Sequence, residues 1–474
     1  MKSNASLRVR LMPLLLAATG IIGYAPVAGA SLAVTNYGTD SSSCGSTTSP
    51  CRSISQAIEN ATSGDTIWVG AGHYGDLSGD GNFDAPGSEH ATTFQSATSY
   101  SACAICITKA VKIYSYNGAA VTTIQVGPNA ISPTTVYIGA NNVIFGEAGH
   151  GFTITGGNGN GVVVDSLTNG GATVSGNTDI KDGTGFTAVG PNPLNGLSCP
   201  VLPPGFPLAC PPTLGTVLLS GNQAIGNGTG FAVQTLGANQ RGGDMQFILQ
   251  DNLALGAGTG FTVMQGLYGD CDDCDDAPTD AQSATILSNV AANSGVGFYL
   301  FGTGKVSYNL ATNNSTAGFM ILNVATFLGN SAIGNAGPGA IVEFLIPNEF
   351  VGGPQPPAPV NMTQNNFFSN DRNRPPLSLG WFYAGTPSPF NPGPSAHCGV
   401  LNVGEVVPSN EVFIVLPSLP AVTTPLLAEN NYWGSAQGPQ PNGPGDAAGG
   451  ACDQDGGVTT VKPFVTSPTA ITPL

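Results

Sequence analysis

Ser220–Gln234 reads SGNQAIGNGTGFAVQ, and the phrase returns along the chain. It recurs as SGNTDIKDGTGFTAV from Ser175, QDNLALGAGTGFTVM from Gln250 and SNVAANSGVGFYLF from Ser288. Looser copies follow as YNLATNNSTAGFMIL from Tyr308 and GNSAIGNAGPGAIVEF from Gly329. Each has an early Asn, a small or polar turn, a Gly, and a short apolar strand. Asn289, Asn309 and Asn330 stand 20 and 21 residues apart, whereas Asn177, Asn222, Asn252 and Asn289 stand 45, 30 and 37 apart. Removing Pro191–Thr213, Thr235–Asp244, Leu267–Gln282 and, in the step from Asn330 to Asn365, Ile346–Pro359 leaves steps of 22, 20, 21 and 21 residues. All four extra pieces fall after the Gly-aromatic strand and before the next strand. A repeat that accepts insertion at one point is the coil of a solenoid with one decorated edge.

Apolar runs of three to five residues leave no room for a helix in each repeat. Gly, Asn and Ser supply turns that tolerate positive φ. A helix-free coil of roughly 21 residues predicts an all-β fold, a right-handed parallel β-helix, whose coils stack at ~4.8 Å with like residues above like. The leading Asn residues then form an internal amide ladder and the Phe residues an internal stack.

Residues 1–30 read as a secretory signal peptide: Lys2, Arg8 and Arg10, an apolar run Leu11–Ile22, and small residues Ala28-Gly29-Ala30. That run is shorter than the ~18–20 apolar residues a membrane span needs. The expectation is a chain that starts at Ser31, secreted or displayed at the cell surface, monomeric and not inserted in a membrane. It then carries 9 basic and 28 acidic residues. This excess argues against nucleic acid, which requires clustered Lys and Arg. Ten cysteines in an exported chain read as disulfides. Proximity pairs Cys44 with Cys51, Cys103 with Cys106, Cys199 with Cys210 and Cys271 with Cys274, leaving Cys398 for Cys452.

Within 31–74, Ser53 and Gln56 form a capping-box pattern ahead of Ile54, Ala57, Ile58 and Ala61 at helical spacing. They predict a short helix covering the open end of the solenoid, before a strand at Asp65–Val69. Residues 174–344 hold the clearest repeats, 371–426 a long excursion, and 427–474 a closing coil and tail.

Gly38–Tyr74, with SISQAI, GDTIWV and GHY, resembles the N-terminal entry of bacterial right-handed β-helix proteins of the pectin-lyase-like superfamily. Asn430-Asn431-Tyr432-Trp433-Gly434-Ser435, Gly438-Pro439 and Val461-Lys462-Pro463-Phe464 resemble their closing coil. The resemblance implies a fold rather than one reaction, because the superfamily holds lyases, hydrolases, epimerases, adhesins and proteins of no known activity. Its hydrolase motifs are echoed in Gly149-His150-Gly151 and Asn177-Thr178-Asp179, but in reversed order and with no Arg-x-Lys after them. Turn geometry explains both better: His150 as an exposed turn residue, Asn177 as a ladder rung.

A lyase of this kind needs carboxylates holding calcium against an acidic sugar and a Lys or Arg to take the α-proton. Arg241 and Asp244 close one insertion, and the next carries Asp272 and Asp273, so these four are the catalytic candidates. The competing reading is a solvated acidic loop stapled by Cys271–Cys274. Asp76, Ser78, Asp80, Asn82 and Asp84 follow an EF-hand-like spacing and are the calcium candidates, although Gly87 stands where the bidentate Glu belongs. An Asp/Gly-rich turn is the alternative. For ligand binding, Trp381 and Tyr383 beside Arg372 and Arg374, with Tyr268, form the sugar-platform candidates; packing of the excursion is the competing role. The sequence therefore points to binding of an extended polysaccharide along the decorated edge, with or without cleavage. A non-catalytic structural or adhesive rod is the alternative. Whether it is an enzyme stays open, because no complete acid–base signature is present.

Overall fold

A computed structural model describes residues 29–77, 88–89, 92–95, 100–127, 134–156, 159–165, 171–190, 215–234, 246–264, 284–302, 304–322, 324, 326–345, 360–373, 377–379, 388–390, 397–406, 424–453 and 457–470. The chain winds through three long sheets. Among the described residues the first has 13 strands, from Ser31–Val34 to Gly457–Thr460. The second has 10, from Gly72–Gly75 to Asn366–Phe368. The third has 11, from Thr92–Gln95 to Val400–Val406. Successive coils pair in parallel, except where Thr92–Gln95 folds back antiparallel on Tyr100–Ile107 at the edge of the third sheet. This is a parallel β-helix.

One coil shows why the sequence folds this way. Thr216–Ser220 lies in the first sheet, Gln223–Ile225 in the second and Thr229–Gln234 in the third. Their alternating burial turns Val217, Leu219, Ala224, Phe231 and Val233 inward, all with no exposed surface. Gly221 and Gly226 turn the corners with φ of 62° and 71°, a region open to Gly at no steric cost.

Ladder and stack both form. Asn177, Asn222, Asn252, Asn289, Asn309, Asn330, Asn365 and Asn431 sit inside the corner between the first and second sheets. The Oδ1 of each rung after Asn177 accepts the backbone N–H of the rung before it, at 2.7–3.0 Å. The side-chain amides satisfy buried carbonyls, as Asn252 does with Leu219 O at 2.8 Å. Phe186, Phe231, Phe261, Phe298 and Phe319 stack with centroids 4.7–5.0 Å apart. The spacing of the rings is that of the coils.

A second ladder, absent from the sequence reading, lines the corner between the second and third sheets. Ser294, Asn314, Asn335 and Asn370 follow each leading Asn by five residues, and each backbone N–H goes to the next side chain, ending on Asp446 Oδ2. The period was visible in the sequence. Its chemistry was hidden because Asp, Ala and Ser replace Asn in some coils.

The N-terminal helix is Ile54–Asn60, with Ile54, Ala57 and Ile58 buried. Half of the expected capping box is present: Ser53 Oγ accepts Gln56 N–H at 3.1 Å. Gln56 does not reciprocate and reaches Glu59 and Asn60 instead. The remaining free amides at the helix start, Ile54 and Ser55 N–H, are taken by the buried carboxyl of Glu89, 2.9 and 2.7 Å away. The first strand is Ser31–Val34 rather than the one at Thr66–Val69, which it precedes in the same sheet. At the far end Trp433, fully buried, stacks on Phe367 at 5.3 Å, and Asn431 is the last rung. Cys44–Cys51, Cys103–Cys106 and Cys398–Cys452 are disulfides. Cys199, Cys210, Cys271 and Cys274 lie outside the described residues, as does the expected signal peptide up to residue 28.

Val400–Val406 returns to the third sheet and pairs with Ala340–Leu345, so 371–426 is a coil with two interruptions. The first leaves after Asn373 and holds an antiparallel pair, Leu377–Leu379 with Ser388–Phe390.

Candidate functional site

The outer face of the third sheet is where the coil geometry gathers the features expected of a binding edge. The strands Thr184–Val189, Thr229–Gln234 and Thr259–Met264 end this face, and the chain re-enters the first sheet at Thr216, Gln246 and Ala284. Ala340–Leu345 likewise gives way to Val360–Thr363. All four sequence insertions are thus rooted at one corner, between the third and first sheets. Two further interruptions are rooted at the opposite border of the face: one after the strand Gly72–Gly75, and the one after Asn373.

Between the two corners, outward residues line up in register. Thr184, Thr229 and Thr259 form one row. Thr187, Ala232, Thr262, Tyr299 and Met320 form a second, and Val189, Gln234, Met264, Phe301 and Leu322 a third. Met264 is 41% exposed, and Thr184, Thr229, Thr259, Thr262 and Gln234 are half-buried. The Thr hydroxyls of the first row repeat at the coil spacing, and the third row adds the amide of Gln234 and the thioether of Met264. The described outward side chains of this face include no Lys or Arg. The described carboxyls on it are Asp165 and Glu343. Asp165 accepts the Tyr137 hydroxyl at 3.2 Å, and Glu343 lies in a strand six steps along the sheet. Six coil spacings are about 29 Å, too far for the two to act as an acid–base pair.

Glu343 is 1% exposed, and neither carboxyl oxygen has a hydrogen-bond partner among the described residues. It stands opposite Leu322 and at a register shift against Val400–Val406. Burial alone pushes its carboxyl up to about 7.

The expected catalytic residues Arg241, Asp244, Asp272 and Asp273 lie outside the described residues. The roots of their two segments are adjacent, because Thr229–Gln234 pairs with Thr259–Met264 and Gln246–Gln250 with Ala284–Leu287. Of the platform candidates, Arg372 is described and exposed, while Arg374, Trp381, Tyr383 and Tyr268 are not described. Arg372 lies at the corner between the second and third sheets, where its charge acts on Asp446. Residues 371–373 precede the third-sheet strand of their coil rather than follow it. Of the calcium candidates only Asp76 is described. It is fully buried, and its Oδ2 accepts Gly127 N–H at 3.2 Å. Ser78, Asp80, Asn82 and Asp84 lie outside the described residues.

His150 is not simply an exposed turn residue. It is half-buried, its Nδ1 is 2.9 Å from Ser115 O, and its ring meets Trp68 edge-on at 5.5 Å. Trp68 also packs against Tyr114 at 5.2 Å and Tyr116 at 6.0 Å, with Tyr116 67% exposed. This aromatic group on the first sheet escaped the sequence reading because its members are spread over 83 positions and meet only through coil stacking. Asn177 of the Asn-Thr-Asp motif is a ladder rung, and Asp179 points into the core with no exposed surface.

No protein-family model matches the chain, and no curated protein does. Among solved structures it is similar to a rhamnogalacturonan lyase, at 12% identity and a TM-score of 0.25, over 72% of this chain and 82% of that one. At that score the similarity says nothing of this chain's reaction or substrate.

Proposed function

We propose that this is an exported β-helix protein of the pectin-lyase-like type that binds an extended polysaccharide along the outer face of its third sheet. The observation that carries the reading is the in-register row of Thr184, Thr229 and Thr259, with Gln234 and Met264 in a parallel row of the same face, bordered on one side by the corner where the insertions leave the coil. A linear polymer with hydroxyl edges and C–H faces complements a line of hydroxyl, amide and apolar groups. The acidic balance of the chain disfavours nucleic acid and polyanionic surfaces as partners.

The test is incubation of the chain, with and without calcium, with neutral and uronic-acid polysaccharides. Retention on each polymer is measured, together with new saturated or unsaturated ends. Retention by one polymer that weakens in Thr229→Ala/Met264→Ala supports the reading. If Trp68→Ala weakens it instead, the ligand sits on the first sheet. Unsaturated ends identify a lyase and direct mutation to Arg241, Asp272 and Asp273; saturated ends identify a hydrolase. Absence of both retention and product on every polymer refutes the proposal in favour of a structural or adhesive rod. The unbroken first ladder favours that second reading, because it ties each coil to the next from Asn177 to Asn431.

A further inference from the structure

Among the described residues, the column that the second sheet turns inward has one polar interruption. That column runs Ile124, Ile154, Asp179, Ala224, Ala254, Ala291, Ala311, Ala332. An Asp thus stands where the neighbouring coils place Ile or Ala, and it has no exposed surface. A Cβ on Gly161 would collide with its Oδ2, so the absence of a side chain there makes the room this carboxyl fills.

The reason for the cluster lies in the second ladder. Its rungs run Asp182, Asn227, Ala257, Ser294, Asn314, as the corner hydrogen bonds Gly228 N–H to Asp182 O and Gly258 N–H to Asn227 O show. A regular rung such as Asn314 gives its side-chain amide to the next Oδ1, that of Asn335, at 3.0 Å. Ala257 has no such oxygen. Asn227 turns the other way, and its Nδ2 donates to Asp179 Oδ1 in the preceding coil. Asp182, 3% exposed, is held by Gly156 N–H on Oδ1 at 2.9 Å and lies within hydrogen-bonding reach of Asp179. Two carboxyls and an amide therefore converge in the core. The adjacent cation, Lys181, is exposed rather than turned toward them.

We propose that Asp179, Asp182 and Asn227 form an internal cation site that takes a hard divalent ion of the calcium type. Two buried carboxylates in contact can both stay charged only if a cation lies between them; otherwise one must take up a proton. A shared proton leaves oxygens over: Asp179 Oδ2 and Asn227 Oδ1 are buried with no hydrogen-bond partner among the described residues. Oxygens that lack donors and converge from carboxylates and an amide are what calcium selects, whereas a water would bring only two protons. Burial and the neighbouring Asp182 hold the Asp179 carboxyl well above its ordinary range while no cation is bound. Calcium binding at neutral pH would therefore release a proton. The site is separate from the Asp76 loop, and it does not depend on a polysaccharide being the ligand of the outer face.

The experiment uses the full chain and calcium alone. Thermal unfolding is followed in chelator and in added calcium, and binding by titration calorimetry in two buffers of different ionisation enthalpy. The expected result is a calcium-dependent rise in Tm with proton release. Asp179→Ala, which copies the residue of the next five coils, abolishes that increment and weakens binding at least about tenfold. Asn227→Ala lowers affinity as well and gives the same answer if Asp179→Ala does not fold. The inference is overturned if calcium leaves the wild-type Tm unchanged, or if the increment persists in both variants. A Tm that falls as pH rises and ignores calcium shows that the two carboxyls share a proton only.

Discussion

Asn309→Ala tests the first ladder at its most regular point. In the wild type Asn309 Oδ1 accepts Asn289 N–H at 2.9 Å and Asn289 Nδ2 at 3.0 Å. Its own Nδ2 donates to Ile286 O, Ser307 O and Asn330 Oδ1 at 2.9–3.0 Å. Truncation leaves these partners unequally served. Asn289 Nδ2 keeps Leu249 O, and Asn330 Oδ1 keeps the backbone N–H of residue 309. Asn289 N–H loses its acceptor in a fully buried corner, a loss of about 1–3 kcal/mol, and the weakened carbonyl contacts at Ile286 and Ser307 add about 1 kcal/mol. With the small void left behind, the expected cost is roughly 3–4 kcal/mol. Asn309→Ser should cost about half, because a hydroxyl can serve as the rung's acceptor, as Ser294 Oγ does for Ala257 N–H at 3.2 Å. The assay is urea unfolding with the shift read from the midpoint at constant slope. Amide exchange at Asn289 is measured beside it, since damage in a solenoid stays with nearest neighbours. A cost below about 1 kcal/mol, or unchanged exchange at Asn289, would refute the view that these amides are structural rather than incidental.

Three other outcomes follow from packing and charge. Phe261 lies between Phe231 and Phe298 at 4.8 and 4.7 Å, so Phe261→Ala should cost about 3–5 kcal/mol in the same assay, with Leu costing less. Cys398 and Cys452 are 54 residues apart and Cys44 and Cys51 only 7, so Ser replacement of the longer bridge should lose about 4 kcal/mol against about 2.5 for the shorter. Paired denaturation curves of the two double variants check the order. Glu343 has a folded value of about 7, above the ordinary 4.5, so the native state holds its proton more firmly than the unfolded chain. Its contribution is fully present below pH 4.5 and is lost as pH rises through 7, by up to about 3 kcal/mol. Glu343→Gln should flatten that part of the stability–pH curve and be more stable than wild type at pH 8; a parallel curve for wild type and variant would show the carboxyl to be solvated.

The lesson for reading such chains lies in which residues were legible. Asn222, Asn252, Asn289 and Phe231, Phe261, Phe298 announced themselves because identical side chains repeat at the coil period. Repetition in sequence becomes stacking in space once the fold is a solenoid. Asp179 was visible only as part of a misleading Asn-Thr-Asp motif. Its meaning depends on Ala257, which stands 78 residues away and removes the acceptor that Asn227 would otherwise use. The aromatic group around Trp68 was missed for a similar reason, since Trp68, Tyr114 and His150 come from successive coils and share no local pattern. The corner at which Arg372 sits was not legible either, because residue counting could not show that the chain returns to the third sheet at Val400–Val406 only after leaving the coil beyond Asn373.

By itself, the sequence determined the class of fold, the coil length, the helix at the entry and the Asn and Phe columns of the interior. Each of these follows from local propensity and period, which a chain carries at every point along its length. Tertiary structure decided which corner each interruption occupies, which rows of side chains face outward in register, and where two carboxyls meet inside the core. Those depend on the accumulated register of coil upon coil, and a single replacement such as Ala257 redirects a hydrogen bond one coil away without leaving any mark in the residues next to it.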